Sequence, residues 1–310
     1  MSKKTKLYLI TGFLGAGKTT FLTKVLEDLE GSKVAVIMNE FGKVGIDGPI
    51  IQKEGMELLE LNSGSIFCSC LQLSFVSALV EIANRDMDYL FVESSGLADP
   101  SNIDEFLDAV MIAKGEVYDY SGALCIVDGV NFLDQIKDIE TVQRQLKFAH
   151  LVIISKADLI SEETLEQVKG KIREINKNVD LVESEKGIVN YSFLDKNLME
   201  KNWIGSEETT NTKENRPKTL TLTYEGSLTK EKMGQFLDLI KEDSYRIKGF
   251  FELEDGWNQI DVVGKRIDYK KTDQVWPNSE LVIISRIGVH IIRPIFKAWE
   301  SVVGRKMRLK

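Results

Sequence analysis

The stretch GFLGAGKTT at residues 12–20, entered from the apolar run LYLI at 7–10, decides the fold. Its glycines and lysine have the spacing of a loop that wraps phosphate between a strand and a helix. Gly12, Gly15 and Gly17 carry no Cβ, so the backbone can take positive φ and turn successive N–H groups toward one point where phosphate oxygens sit. The following helix adds its own unpaired amides at the same place. The predicted nucleotide contacts are therefore Gly12, Gly15, Ala16, Gly17, Lys18, Thr19 and Thr20. Lys18 would set its ammonium between the β- and γ-phosphates, and the Thr19 hydroxyl would hold the Mg²⁺ that bridges them. A glycine-rich turn without a ligand is the plainer alternative. It is disfavoured by the strand before the loop and by Phe21, Leu22, Val25, Leu26 and Leu29, which recur after it at helical spacing.

Outward from the loop, residues 33–38 read as a second strand, completing a βαβ unit, and the segment beyond it carries Asn39, Glu40 and Asp47. Acidic groups there can reach the metal through water, or can be surface carboxylates beside a turn. The apolar run at 89–92 ends in Glu93. In an open parallel sheet ligands bind at the carboxyl ends of strands, so Glu93 falls beside the phosphate loop, where an acid holds Mg²⁺ directly or through water. Gly96, three residues on, can offer its N–H to the γ-phosphate. Lys18, Thr19 and Glu93 are the predicted catalytic set, with slow turnover expected because no glutamine that would orient water is identifiable.

A strand at 123–129 contains Cys125, whose apolar surroundings indicate packing, and ends at Asp128. The next apolar strand runs into Ser155, Lys156, Ala157 and Asp158. This tetrad is similar to the NKxD guanine-reading motif: one carboxylate, here Asp158, accepts from both N1–H and N2–H₂ of guanine, a paired donor edge that adenine lacks. The Lys156 stem would cover the ring. Ser155 stands where the motif has Asn, an exchange expected to weaken loop bracing or base contacts.

Cys68 and Cys70 flank a single serine in NSGSIFCSCL. Two thiolates that close can share a soft ion such as Zn²⁺, Co²⁺ or Ni²⁺, or can be two small buried side chains. With three cysteines and two histidines in 310 residues, the chain has no disulfide framework and no second ligand cluster near the pair. Its formal net charge of -8 argues against a nucleic-acid partner. There is no signal-like start and no run of about 18 apolar residues, so a cytoplasmic protein without a membrane partner is expected.

Together, GFLGAGKTT, VIMNEFGKVGIDG, VESSGLADP and ISKADL make the first 200 residues resemble the CobW/HypB/UreG family of metal-associated GTPases, and its CobW branch most of all. The resemblance implies a P-loop NTPase fold, an α/β domain with a mostly parallel sheet flanked by helices. It also implies a Mg²⁺-dependent GTPase that couples its cycle to delivery of a metal or metal cofactor to a client metalloenzyme. Asn39 and Glu40 match the family's NE pair. The family's GCxCC metal motif is altered: Ser65 and Phe67 occupy two of its cysteine positions, Cys68 remains, and Cys70 is additional. A rearranged metal site and a GTP-gated activation switch that carries no metal are both open, as is a homodimer. An ATP-dependent kinase would share the phosphate loop but leave SKAD without a role.

The GTPase domain is expected over 1–203, a polar linker over 204–217 and a smaller α+β domain over 218–310, similar to the CobW C-terminal domain. In that domain Phe250, Phe251, Trp257, Trp276 and Trp299 are expected in the core.

Overall fold

The computed structural model describes residues 3–40, 56–62, 72–186, 188–200 and 217–310. The chain divides into two compact units, Met1–Asn215 and Arg216–Lys310. The polar stretch read as a linker falls, except for Pro217, outside the described residues.

The first unit runs β1 (Thr5–Thr11), α1 (Lys18–Asp28), β2 (Val34–Glu40), β3 (Glu57–Asn62), α2 (Gln72–Ala83), β4 (Tyr89–Glu93), α3 (Ile103–Lys114), β5 (Tyr118–Asp128), α4 (Phe132–Asp138), α5 (Glu140–Lys147), β6 (Leu151–Ser155), α6 (Glu162–Ile175) and β7 (Asp180–Ser184). Its strands pair in parallel in the order β3-β2-β4-β1-β5-β6-β7. Parallel strands covered on both faces must be apolar throughout, and β1 shows why. Leu7 and Leu9 enter a layer with Phe75, Leu79 and Phe106, while Tyr8 and Ile10 enter the opposite layer with Phe21, Leu22 and Val25. The short turn Tyr191–Asp195 closes over the second layer, with the Tyr8 hydroxyl donating to the Leu194 carbonyl at 3.1 Å.

Helix α3 is absent from the sequence expectations although Ile103, Phe106 and Val110 bury at helical spacing. Strand β5 also begins earlier than its apolar run. Gly122 sits at φ 121 and the β1–β5 register shifts between Leu7 and Tyr8, so a bulge interrupts the pattern ahead of Ala123. Cys125 is buried in β5, and burial pushes its thiol up to about 12, consistent with packing.

The second unit runs β8 (Thr219–Tyr224), α7 (Lys230–Ile240), β9 (Ser244–Leu253), β10 (Gly256–Val263), β11 (Arg266–Lys271), β12 (Ser279–Ser285), α8 (Ile292–Val302) and β13 (Arg308–Leu309). Its strands form an antiparallel sheet in the order β11-β10-β9-β12-β8-β13. Leu222, Ile247, Phe251 and Leu281 pack against Phe236, Leu237, Ile295 and Trp299. Gly249 is required where β9 crosses β12, since a Cβ there would lie 1.9 Å from the Glu280 carbonyl oxygen. Strand β11, RIDYKK, escapes an apolar search because it is a charged edge strand, which discourages further pairing.

The aromatic expectation needs correction. Phe251 and Trp299 are core, but Phe250, Trp257 and Trp276 are half-buried, with Trp276 stacked on Phe250 at a centroid distance of 3.8 Å and tilted against Trp257 at 5.4 Å. Phe250 neighbours Phe251 in a strand, so alternation sends it to the other face of the sheet. Among the described residues, no helix is long and apolar enough to cross a membrane.

Candidate nucleotide site

Strand order places the site. From the central β1 the chain moves to one side for β2 and β3, returns for β4, and crosses to the other side for β5 to β7, so a crevice opens at the carboxyl ends around β1. The loop after Thr11, Glu93 at the end of β4, Asp128 at the end of β5 and Ser155 at the end of β6 all meet there.

The loop has the backbone that its glycines predict. Gly12, Gly15 and Gly17 lie at φ 132, 75 and 99, and Gly17 directly precedes α1 in the left-handed region. At Gly12 a Cβ would fall 2.2 Å from the Ile126 carbonyl oxygen, so both space and backbone demand glycine. Lys18 is buried, and its ammonium donates to the carbonyls of Gly12 at 2.8 Å and Phe13 at 3.3 Å. The cation is thus held within the loop that would receive phosphate. Ala16 is buried, whereas Thr20 is exposed on the outer side of the first helical turn.

Thr19 and Glu93 converge: the hydroxyl donates to Oε1 of the carboxylate at 3.2 Å, and Glu93 is only 6% exposed. A hydroxyl and a buried carboxylate side by side form a hard-oxygen donor set that suits Mg²⁺. Gly96 packs so tightly on the loop that a Cβ would lie 2.7 Å from the Leu14 amide nitrogen. Its peptide is held from behind by Gln145 of α5, which donates to the carbonyls of Gly96 at 3.3 Å and Ala98 at 2.9 Å. Arg144 pairs with the buried Asp99 at 3.0 Å. Sequence reasoning missed Gln145, Arg144 and Asp99; the helical spacing of Val142, Gln145 and Leu146, all buried, carried the only signal for Gln145.

Ser155 reaches the phosphate loop with its hydroxyl. Its hydroxyl lies 2.6 Å from the Ala16 carbonyl oxygen and 3.1 Å from that of Val127, so it ties β6 to the phosphate loop. Ser155→Ala would leave the Ala16 carbonyl buried without this donor, at a cost of about 1–2 kcal/mol. GDP binding is expected to weaken by roughly tenfold, read by titration with a fluorescent GDP analogue. Lys156, at φ 58, extends its ammonium to Gly15 O at 3.1 Å and to Asp128 Oδ2 at 2.6 Å. Asp158 is exposed in the turn Ala157–Leu159 and available to a base edge.

Asn39 Nδ2 donates to the Leu61 carbonyl at 3.0 Å and so fastens β2 to β3. Glu40 ends β2, and its side chain, like Asp47, Cys68 and Cys70, lies outside the described residues. Among the described residues no group of three or more His, Cys, Asp or Glu could hold a metal ion.

Residues 6–183 match the family model "CobW/HypB/UreG, nucleotide-binding domain", and 218–294 match "Cobalamin synthesis protein cobW C-terminal domain". The chain is similar to zinc chaperone YjiA of Escherichia coli, 31% identical over 193 residues, covering 60% of this chain and 59% of that one. It is similar to zinc chaperone CobW of Pseudomonas aeruginosa, 32% identical over 216 residues, covering 59% of this chain and 57% of that one. The zinc-regulated GTPase metalloprotein activator 1 of Dictyostelium discoideum is 27% identical over 223 residues, covering 60% and 47%. The matches thus span less than two thirds of these relatives. The crystal structure of Zn(II)-bound YjiA GTPase from E. coli shares the fold, with a TM-score of 0.50 at 21% identity over 98% of this chain and 100% of that one.

Proposed function

The chain belongs to the CobW/HypB/UreG family, and we propose that it is a Mg²⁺-dependent GTPase whose nucleotide cycle drives delivery of a metal ion or metal cofactor to a client metalloenzyme. The observation that carries the hydrolase half is the convergence of Thr19 and Glu93, 3.2 Å apart, beside a phosphate loop of left-handed glycines. Mg²⁺ held there would neutralise charge building on the β- and γ-phosphate oxygens. Lys18 and the loop amides would orient the phosphates and stabilise negative charge as water attacks in line. The Gly96 amide would contact the γ-phosphate and relax when it leaves, a reading supported by the fixed segment around it, where Gln145 holds the carbonyls of Gly96 and Ala98. Asp158 supports the choice of guanine, with Lys156 covering the ring.

Delivery of a metal is supported by relatives named as zinc chaperones and as a zinc-regulated activator. One sequence observation favours a second reading, a GTP-gated switch that carries no metal: Ser65 and Phe67 stand where the family motif has thiols, and a phenyl ring cannot ligate. A Co²⁺ titration of the purified chain, bound to GDP or to a non-hydrolysable GTP analogue, separates them. Carriage predicts a thiolate-to-Co²⁺ absorption band that depends on the nucleotide and disappears in Cys68→Ser. No band in either state would overturn carriage and leave the switch.

A further inference from the structure

We infer that Asp128 is a positioning residue of the guanine site, presetting Lys156 over the base and acting on nucleotide affinity only through that lysine. This rests on the reading of SKAD as the base-binding segment. Asp128 and Ser155 are register partners on adjacent strands, so the acid at the end of β5 stands beside the first residue of that segment. The Asp128 side chain is fully buried and the Lys156 side chain only 18% exposed, with 2.6 Å between Oδ2 and Nζ. The carboxylate is itself fixed, because Oδ1 accepts from the Val130 amide at 3.0 Å and Oδ2 from the Asn131 side chain at 2.8 Å. Gly129 adds a backbone bond to the Ser155 carbonyl at 2.9 Å.

The consequence follows from the shape of lysine. Its four-carbon stem is a flexible rotor, and freezing it when a nucleotide arrives costs conformational entropy. Here both ends are already fixed: the backbone by the left-handed turn at Lys156, and the ammonium by Asp128 and the Gly15 carbonyl. The stem must then lie along one line between SKAD and the phosphate loop, ready to cover a ring. A purely structural ion pair would share this geometry but would not spend its effect on ligand.

A double-mutant cycle on the full chain decides between them. Dissociation constants and off-rates for fluorescent GDP and IDP are measured for wild type, Asp128→Asn, Lys156→Met and the double variant. Asp128→Asn is expected to weaken both nucleotides by roughly tenfold through faster release, since the stem covers either ring. The double variant is expected to bind no more weakly than Lys156→Met alone. Affinity in Asp128→Asn within about twofold of wild type, or a further tenfold loss in the double variant, would overturn the inference. Should Asp128→Asn fail to fold with the Lys156 ammonium unpaired, Asp128→Glu takes its place in the cycle and is held to the same two outcomes. A wild-type chain that binds ADP as tightly as GDP would instead remove the guanine reading; a clear GDP preference with additive losses removes the inference alone.

Discussion

Lys18→Ala is expected to lower GTP affinity by a hundredfold or more, about 3 kcal/mol, and to reduce hydrolysis to the uncatalysed background. The ammonium is buried inside the loop, on the carbonyls of Gly12 and Phe13, at 2.8 and 3.3 Å. A phosphate chain entering the loop would meet this positive charge at short range and with little water between, where a charge-assisted contact is strongest. Alanine removes the charge and leaves two carbonyl oxygens facing the incoming phosphates, so attraction is exchanged for repulsion. The fold itself should tolerate the change, because Lys18 opens α1 and alanine is a good helix former. A thermal midpoint close to wild type, together with absent binding by calorimetry, is the expected pair of results. Normal GTP turnover by this variant would sink the assignment of this loop and Lys18 as the site of hydrolysis.

How much was legible in the sequence follows from how far apart the cooperating residues lie. The phosphate loop was readable because its conformation is written into adjacent glycines, and each one has the positive φ or close approach that a side chain would forbid. Glu93 was readable because an acid closing a buried parallel strand has one destination. Asp128 was seen as a strand end and nothing more, since its role exists only once β5 and β6 pair and bring it to Lys156. Arg144 gave no sign, and helical spacing with Val142 and Leu146 could mark Gln145 only as facing inward, because a polar residue on a helix does not show in sequence which loop it reaches. Phe250, Trp257 and Trp276 illustrate a different limit. Hydrophobicity marks a residue as apolar, but only the placement of α7 and α8 decides which sheet face is core. The altered cysteine motif at Cys68 and Cys70 is legible in sequence and lies outside the described residues, so the metal question passes to the Co²⁺ experiment.

Asp158→Asn is expected to exchange base preference, lowering GTP affinity by about a hundredfold or more while bringing XTP close to the original GTP value. A carboxylate offers two acceptors, which match the N1–H and N2–H₂ donors of guanine. Asparagine keeps one acceptor and turns the other into a donor. Against guanine that sets an amide N–H₂ toward the exocyclic amine, two donors facing each other. Xanthine carries an oxygen at the same position, so the asparagine amide donates to it while the side-chain oxygen still accepts from N1–H. Asp158 is exposed in its short turn, so the substitution is expected to change stability by no more than about 0.5 kcal/mol. The measurement is a competition of GTP, XTP and ATP against a fluorescent nucleotide, in wild type and variant. Because all three share the same triphosphate, the contacts of Lys18 and the loop cancel in the ratios, and only the base edge remains. An unchanged GTP to XTP ratio would mean that the base is read elsewhere, and Asp158 would then lose its role even if Lys18 keeps its own.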